Sequence, residues 1–261
     1  MQIASRRNPI VARYRAAARG EAADVVLLDG VHLVVDALEA GVPLHDVAVV
    51  NDATSRGDVK EAIRALSARD VDFVTVSASV IDAISPVRSS SPIVALASRP
   101  STDEARLYRG AAPLVIAAFD VQDPGNVGAI VRVAEAAGAT GVVAAGASAD
   151  PLGWKALRGS MGSALRLPLT ATPDVGAAIA GARRHRCRIV ATVARGGRSV
   201  FETDFTGPVA ILIGSEGAGL LASIVEDADE RVTIPMRPPV ESLNAAVTAA
   251  LVVYEAHRQR R

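Results

Sequence analysis

Residues 120–126 (DVQDPGN) form a polar loop between an apolar run and a segment with helical spacing. Pro124 and Gly125 are typical of a turn, and Asn126 occupies the position expected for a helix N-cap. Arg132 follows in a stretch made almost entirely of Val, Ile, Ala and Gly. A guanidinium in such a stretch is expected to pair with an anion, and its fork suits a phosphate or a carboxylate. A purely structural interpretation is also open for both residues: Asn126 would only cap the helix, and Arg132 would only lie on a solvated helix face.

A second loop, residues 214–219 (GSEGAG), carries three glycines in six positions. Glycines allow a ligand to approach the backbone closely. The spacing matches neither the dinucleotide fingerprint nor a P-loop, so an ordinary strand-to-helix turn is an equally good interpretation. Glu216 lies between two of these glycines. It could pair with a cation such as Arg132 or cap the next segment.

The third loop, residues 234–244 (IPMRPPVESLN), precedes an alanine-rich segment. Its three prolines predict an extended backbone. Ser242 and Asn244 fall near the predicted helix start, where either side chain could cap the helix. A rigid loop of this kind beside a glycine-rich loop can form a small-molecule pocket from backbone N–H and C=O groups.

The elements that must position these loops alternate between strand and helix. In the second half, continuous apolar runs predict buried strands at 114–119, 141–145, 188–193 and 209–214. Helices are predicted at 127–137, 175–184 and 242–257. This order predicts an open α/β sheet with its sites at the carboxyl ends of the strands.

The first half alternates in the same way. Strands are predicted at 25–28, 47–50, 72–76 and 93–97, and helices at 31–40 and 59–68. Residues 100–112 are polar and show no hydrophobic period, so we interpret them as a linker between domains at 1–99 and 113–261.

The chain has 261 residues and balances 28 basic against 28 acidic residues, and all the basic residues except Lys60 and Lys155 are arginine. A net charge of zero argues against a uniformly basic nucleic-acid binder, and 50% hydrophobic residues exclude disorder. Residues 1–20, 155–166 and 183–198 nevertheless hold several cations each and no acid. These clusters predict a local RNA-binding footprint, although a solvated surface is the alternative. Aromatic residues make up only 3%, which disfavours extensive base stacking.

Other site types are disfavoured by composition. Cys187 is the single cysteine, and the four histidines are widely spaced, so neither a disulfide framework nor a Cys/His metal site is expected. No apolar run approaches the roughly 18 residues of a membrane span. The basic N-terminus is followed by acidic residues rather than a leader-type apolar segment, so we expect a cytoplasmic protein.

Taken together, NVGAIVRVAEAAG (126–138), ILIGSEGAGL (211–220) and IPMRPPVESLNAAVTAALVVYE (234–255) resemble the three motifs of SpoU/TrmH-type RNA ribose 2′-O-methyltransferases in order and approximate spacing. LRGSMGSALRLPL (157–169) resembles a further stretch of that family. Residues 8–19 and 27–50 look like its N-terminal RNA-substrate-binding domain. The resemblance covers nearly the whole chain, with a departure at Arg237-Pro238-Pro239, where many members carry a less bulky turn.

This resemblance implies a C-terminal α/β trefoil-knot domain and a smaller N-terminal α/β domain that is similar to ribosomal RNA-binding proteins. It implies S-adenosylmethionine as the cofactor, bent among three loops, and a homodimer formed through the knot domain. Gly214, Ile234 and Leu243 are the best cofactor contacts it implies. The full implied cofactor set is Thr192, Val193, Ala194, Gly214, Glu216, Gly217, Ile234, Met236, Ser242 and Leu243.

The implied reaction is methyl transfer to a ribose 2′-hydroxyl of structured RNA, most simply ribosomal RNA. The family's catalytic positions map onto Asn126, Arg132, Glu216, Ser242 and Asn244. Arg132 would hold a phosphate and the reacting hydroxyl, and Glu216 would orient Arg132 or Asn126. The RNA contacts we predict are Arg6, Arg7, Arg13, Arg15 and Arg158. A catalytically inactive RNA-binding or assembly factor, a tRNA enzyme and a drug-resistance methyltransferase are the alternatives.

Overall fold

The computed structural model describes residues 2–3 and 5–261. The chain forms two compact units that are interleaved in sequence. The first comprises residues up to 100 together with Leu152–Arg166, and the second comprises Ser101–Pro151 and Leu167–Arg261. The segment Leu152–Arg166 was expected in the second domain but packs with the first, because Trp154 lies against the apolar cluster of that unit.

The strands are β1 (Gln2–Ile3), β2 (Val25–Asp29), β3 (Leu44–Val50), β4 (Val74–Val76), β5 (Ile93–Ser98), β6 (Leu114–Phe119), β7 (Gly141–Ala145), β8 (Leu169–Thr172), β9 (Arg188–Thr192), β10 (Arg198–Ser199), β11 (Val209–Ile213) and β12 (Glu230–Thr233).

The helices are α1 (Pro9–Ala18), α2 (Val31–Glu39), α3 (Gly57–Ser67), α4 (Ala78–Ile84), α5 (Glu104–Leu107), α6 (Pro124–Ala136), α7 (Trp154–Ser160), α8 (Ser163–Arg166), α9 (Val175–Arg184), α10 (Ala222–Asp227) and α11 (Ala245–Gln259). Single 3₁₀ turns lie at Asn51–Ala53 and Val200–Glu202.

The first unit is built on a sheet of order β1-β4-β3-β5-β2. Strand β5 runs antiparallel to both of its neighbours, and the other pairs are parallel. Tyr14 of α1 is fully buried in the core of this unit, and its hydroxyl donates to the carbonyl of Asp46 at 2.9 Å. Burial raises the pKa of the Tyr14 hydroxyl far above its usual value.

The second unit is built on a sheet of order β10-β12-β9-β11-β6-β7-β8 in which every pair of neighbours is parallel. Every residue of β6, β7 and β11 is buried, as expected for strands covered on both faces. Because β12, β9, β11 and β6 are adjacent, the loops at their carboxyl ends meet at one edge. Helices α6 and α11, which follow two of these loops, pack against each other.

The predicted α/β class and parallel second sheet are confirmed, and β6, β7 and α9 have the predicted bounds. The elements that sequence reasoning missed are mostly too short to show a period, such as β10 and β12. Helix α1 has ten residues but buries only two, so its apolar pattern is weak. The stretch interpreted as a linker contains α5, and the last residue of this helix, Leu107, and the following Tyr108 are buried in the core.

Candidate active site

Helix α6 begins directly after β6, at the carboxyl edge of the sheet. Asp123 is its N-cap, and the Asp123 carboxylate accepts a hydrogen bond from the backbone N–H of Asn126 at 2.8 Å. The expectation that Asn126 itself caps the helix is therefore wrong, because the helix begins at Pro124 and already includes Asn126 in its first turn. This frees the Asn126 side chain for other partners.

The loop after β11 turns so tightly that its first position accepts only glycine. A Cβ at Gly214 would lie 2.3 Å from the backbone carbon of Gly219 and 2.4 Å from the backbone nitrogen of Leu220. A bridge between Ser215 and Gly219 closes the loop, with the N–H of Gly219 donating to the carbonyl of Ser215 at 3.0 Å. This turn points Glu216 away from the sheet and toward the neighbouring loops.

Asn244 is the N-cap of α11, which starts three residues later than predicted. Its side-chain carbonyl accepts from the backbone N–H groups of Ala246 at 2.9 Å and Val247 at 3.2 Å. Ser242 was an alternative cap, but its side chain forms no such bond in the described part of the chain.

The side chains of Asn126, Glu216 and Asn244 meet in a closed hydrogen-bonded ring, which we call the amide–carboxylate ring. Oε1 of Glu216 accepts from the side-chain amides of both Asn126 and Asn244, the latter at 3.3 Å. Asn244 also donates to the side-chain carbonyl of Asn126 at 3.1 Å. The ring thus joins three loops that are 28 to 118 residues apart in sequence.

Arg132 lies on the exposed side of α6 and does not join this ring. Val127, Ile130, Val131 and Ala134 form the buried side of the helix. Among the described residues the Arg132 guanidinium has no hydrogen-bond or ion-pair partner, so of the two partners predicted for Glu216 the structure shows Asn126 and not Arg132. The guanidinium remains available to an external anion.

A cavity of about 310 Å³ opens between the loops that follow β9, β11 and β12. All ten residues of the implied cofactor set line it. Ser215, Ala218 and Gly219 also line it and belong to the loop 214–219 that was predicted to hold the cofactor, but sequence reasoning missed seven other lining residues: Ile213, Leu220, Val225, Val232, Ala245, Thr248 and Val252. Three of these, Ala245, Thr248 and Val252, recur at helical spacing on one face of α11, a signal that the sequence did contain.

The cavity has the features of a small-molecule binding site. Its size falls at the lower end of the range for small-molecule sites, and most of its walls are apolar. The hydroxyl of Thr192 is already committed to the carbonyl of Leu212 at 2.8 Å. The polar contacts available to a ligand are the backbone N–H and C=O groups of the three loops and the side chains of Ser215, Glu216, Ser242 and Thr248.

Comparison with known proteins places this geometry in a family. Residues 113–254 match the profile described as SpoU rRNA Methylase family, which is more than half of the chain. The chain belongs to the SpoU rRNA methylase family. Residues 1–109 match a second profile, described as Thiostrepton-resistance methylase, N terminus. The predicted family, enzyme class and S-adenosylmethionine cofactor are thereby confirmed.

Individual relatives agree with this membership. An uncharacterized tRNA/rRNA methyltransferase of Mycobacterium sp. (strain KMS) is 32% identical over 95% of this chain and 80% of its own length. The 23S rRNA (uridine(2479)-2′-O)-methyltransferase of Streptomyces viridochromogenes is 41% identical, but the match spans about half of each chain, 52% and 50%. The crystal structure of the SpoU methyltransferase AviRb from the same organism, with AdoMet bound, superposes with a TM-score of 0.87 at 30% identity, covering 97% of this chain and 98% of AviRb.

Some of the arginines predicted to contact RNA already have intramolecular partners in this SpoU-family structure, and others have none. Arg6 donates to the carbonyl of Ser79 and Arg15 to that of Ala83, while Arg13 pairs with Asp46 at 2.5 Å. By contrast, Arg7 and Arg158 are exposed and have no side-chain partner in the described residues.

Five of the six arginines at residues 183–198 form ion pairs in the folded chain. These pairs are Arg183 with Asp227 and Asp229, Arg184 with Glu104, Arg188 and Arg198 with Glu230, and Arg195 with Glu241. The acids come from distant parts of the sequence, so a linear window showed only the cations. Acids therefore compensate most of the predicted basic footprint, and of its six arginines Arg186 alone is without an ion-pair partner in the described residues.

Two further searches cover only the described residues. No group of three or more His, Cys, Asp or Glu side chains there could hold a metal ion. No helix there is both long and apolar enough to cross a bilayer. Cys187 is buried, and this burial raises the pKa of its thiol to about 11.

Proposed function

We propose that this SpoU-family enzyme transfers the methyl group of S-adenosylmethionine to a ribose 2′-hydroxyl of ribosomal RNA. The amide–carboxylate ring carries this proposal, since it gathers polar groups of the three family motifs beside the cavity. The name of the Streptomyces viridochromogenes relative, a 23S rRNA 2′-O-methyltransferase, supports ribosomal RNA as the substrate.

The cofactor, when bound, supplies a methyl group activated on a sulfonium. The cavity residues proposed to hold it are Thr192, Val193, Ala194, Gly214, Glu216, Gly217, Ile234, Met236, Ser242 and Leu243. The absence of a Cβ at Gly214 keeps the loop closed and its backbone accessible. The hydroxyl of Ser242 has no partner among the described residues, so it can contact a ligand directly.

Glu216 is proposed to receive the reacting hydroxyl. Only its Oε1 atom is used in the amide–carboxylate ring, so Oε2 can accept another hydrogen bond. The two amides hold the carboxylate in one orientation before substrate arrives, which reduces the entropic cost of alignment. In this arrangement Asn126 and Asn244 are positioning residues, and Glu216 touches the substrate.

Arg132 is proposed to bind an RNA phosphate next to the reacting ribose. A guanidinium keeps its proton at neutral pH, so Arg132 is poorly suited to act as a base. Its planar fork instead matches phosphate oxygens, and it is exposed and has no internal partner in the described chain. Fixing the phosphate would fix the 2′-hydroxyl of the same nucleotide.

The functional unit is proposed to be a homodimer formed through the second unit. Val247, Leu251 and Tyr254 lie on one side of α11 with 47%, 42% and 48% of their surface exposed. Large apolar side chains in a stripe of this kind usually mark an interaction surface. A second copy of the same helix would cover it with an isologous two-fold contact.

The first unit is proposed to bind the RNA substrate and the second to carry the chemistry, with the enzyme acting in the cytoplasm on ribosomal RNA. A second candidate function is methylation that confers drug resistance, favoured by the thiostrepton-resistance description of the N-terminal profile. It shares the chemistry and differs in the nucleotide modified. An inactive RNA-binding factor is disfavoured by the intact ring and the available Arg132.

The substrate class can be tested by incubating the enzyme and tritiated S-adenosylmethionine with separate pools of deproteinised ribosomal RNA and tRNA. We expect label in ribosomal RNA. Label confined to tRNA would overturn the proposed substrate, and no label in either pool would support the inactive factor. Mapping of the labelled nucleotide, together with growth of an expressing host on ribosome-targeting drugs, separates the two candidate functions.

A further inference from the structure

The loop between α4 and β5, residues 85–91 (SPVRSSS), is fastened by serine hydroxyls to two carboxylates. Ser85 and Ser91 donate to the two oxygens of Asp29, at 2.6 and 2.5 Å. Ser90 donates to Asp82 at 2.6 Å. Prolines at positions 86 and 92 restrict the backbone further. The base of the loop is therefore held rigidly.

Asp29 is an unusual anchor because it is buried without a cation. It is only 4% exposed, and in the described residues its partners are the two serine hydroxyls of this loop. A buried carboxylate is costly unless its oxygens receive hydrogen bonds. At this position the two hydrogen bonds to the buried carboxylate hold residues 85–91 in place.

The side chains at the tip of the loop, residues 88 and 89, make no intramolecular contacts of this kind in the described residues. Arg88 and Ser89 are both exposed, and neither side chain has a partner among the described residues. Residues 85–91 contain no acid that could neutralise the guanidinium. Adjacent guanidinium and hydroxyl donors on a rigid loop suit an anion with several acceptor oxygens, such as a phosphate.

We propose that Arg88 and Ser89 form a phosphate-contacting tip through which the first unit binds the RNA backbone. The inference rests on the proposed RNA substrate and adds a site that family membership does not assign. Because the serine bonds hold the base of the loop, less backbone freedom is lost when the tip binds than in a mobile loop. The serine anchors at Asp29 and Asp82 therefore contribute to affinity without touching RNA.

The direct test compares Arg88→Gln with Arg69→Gln in the full-length protein. Arg69 is an exposed arginine of the same unit without a side-chain partner in the described residues, so its substitution controls for loss of one charge. The probe is deproteinised ribosomal RNA in filter-binding titrations over a range of salt concentrations. We expect Arg88→Gln to weaken binding about fivefold and to lower the salt slope by roughly 0.7 to 1, as for one lost phosphate contact. Arg69→Gln should match the wild type.

A second variant tests the anchor. Ser91→Ala removes one hydroxyl from Asp29 and leaves the tip residues unchanged. We expect about a two- to threefold loss of RNA affinity with an unchanged salt slope, because the charge remains but its position is less restricted. Binding of S-adenosylhomocysteine by calorimetry should be unchanged in all three variants, and thermal unfolding reports whether each is folded.

Arg88→Gln with wild-type affinity and salt slope would overturn the assignment of the tip while leaving the proposed function intact. Equal losses in Arg88→Gln and Arg69→Gln would also overturn it, because they would indicate a diffuse charge effect. Absence of RNA binding by the wild type would contradict the proposed substrate, and the tip assignment with it.

Discussion

The side-chain amide nitrogen of Asn244 donates a hydrogen bond to the carboxylate oxygen Oε1 of Glu216 at 3.3 Å. This contact links the start of α11 to the glycine-rich loop. The opposite end of the same Asn244 amide caps α11 through its carbonyl. One side chain therefore fixes the helix start and the carboxylate together. The roles of the amide nitrogen and the amide oxygen of Asn244 can be tested separately, because a substitution can remove the nitrogen donor and keep the oxygen acceptor.

Asn244→Asp should nearly abolish methyl transfer without unfolding the protein. The substitution keeps an oxygen to cap α11, but it places a second carboxylate beside Glu216 and removes the donor. We expect kcat to fall about a hundredfold with little change in the unfolding midpoint, since Asp is as good a cap as Asn. Asn244→Ala should lose activity and also about 1 kcal/mol of stability. Wild-type turnover in Asn244→Asp would show that the ring is dispensable.

Gly214→Ala should weaken cofactor binding, whereas Gly207→Ala should not. The new methyl group at 214 would meet the backbone of Gly219 and Leu220, so the loop must move. Nothing lies within 4 Å of the equivalent position at Gly207, which is not among the residues that line the cavity. Calorimetry with S-adenosylhomocysteine measures the effect, which we expect to exceed tenfold, or about 1.4 kcal/mol. Equal affinities for both variants would mean that the closed loop does not form the binding wall.

Leu251→Glu should dissociate the proposed homodimer. The substitution places a charge in the centre of the apolar stripe on α11 and should therefore disfavour its burial against a second copy. Light scattering after size-exclusion chromatography measures the mass. Phe201→Glu is a suitable control, because Phe201 is 63% exposed but lies outside α11. A wild-type protein that runs as a monomer would contradict the proposal.

Cys187 should resist alkylation in the native protein. Burial raises the pKa of its thiol to about 11, so only about 0.1% is thiolate at pH 8. Iodoacetamide labelling followed by mass spectrometry should show modification on unfolding in guanidinium and almost none before. Because the raised pKa disfavours the charged form, labelling should increase as pH rises toward 11. Complete native labelling within minutes at pH 8 would contradict the buried position.

The sequence predicted the second sheet well because its central strands are buried on both faces and therefore read as uninterrupted apolar runs, as in β6 and β11. Unusual residue types identified the three loops, and the family resemblance gave ten of the residues that line the cavity. Local spacing did not predict which side chains meet, because pairing depends on the order β12-β9-β11-β6 across the sheet. Glu216 was expected to orient either Arg132 or Asn126, and the sheet order and helix start bring it to Asn126 and also to Asn244.

The sequence predicted poorly which basic side chains are available to bind RNA. The cluster at 183–198 contains no acid of its own, yet Asp227 and Glu230 neutralise two of its members in the fold. Arg88 belongs to none of the three clusters, but it is exposed and lacks a partner in the described chain. Availability of a cation for RNA therefore depends on tertiary contacts rather than on local composition.

The central claim is transfer of a methyl group to a ribose 2′-hydroxyl with the help of Arg132. The control for this role is Arg106→Ala, since Arg106 is also exposed and has no side-chain partner in the described residues. A 2′-O-methyl group blocks alkaline cleavage of the adjacent phosphodiester, so a methylated site survives as a dinucleotide.

The most direct measurement is therefore alkaline hydrolysis of ribosomal RNA labelled by the enzyme with tritiated S-adenosylmethionine. We predict that the wild type and Arg106→Ala give label in alkali-resistant dinucleotides, and that Arg132→Ala gives none although it binds S-adenosylhomocysteine normally. Label recovered in mononucleotides, or wild-type labelling by Arg132→Ala, would contradict the account.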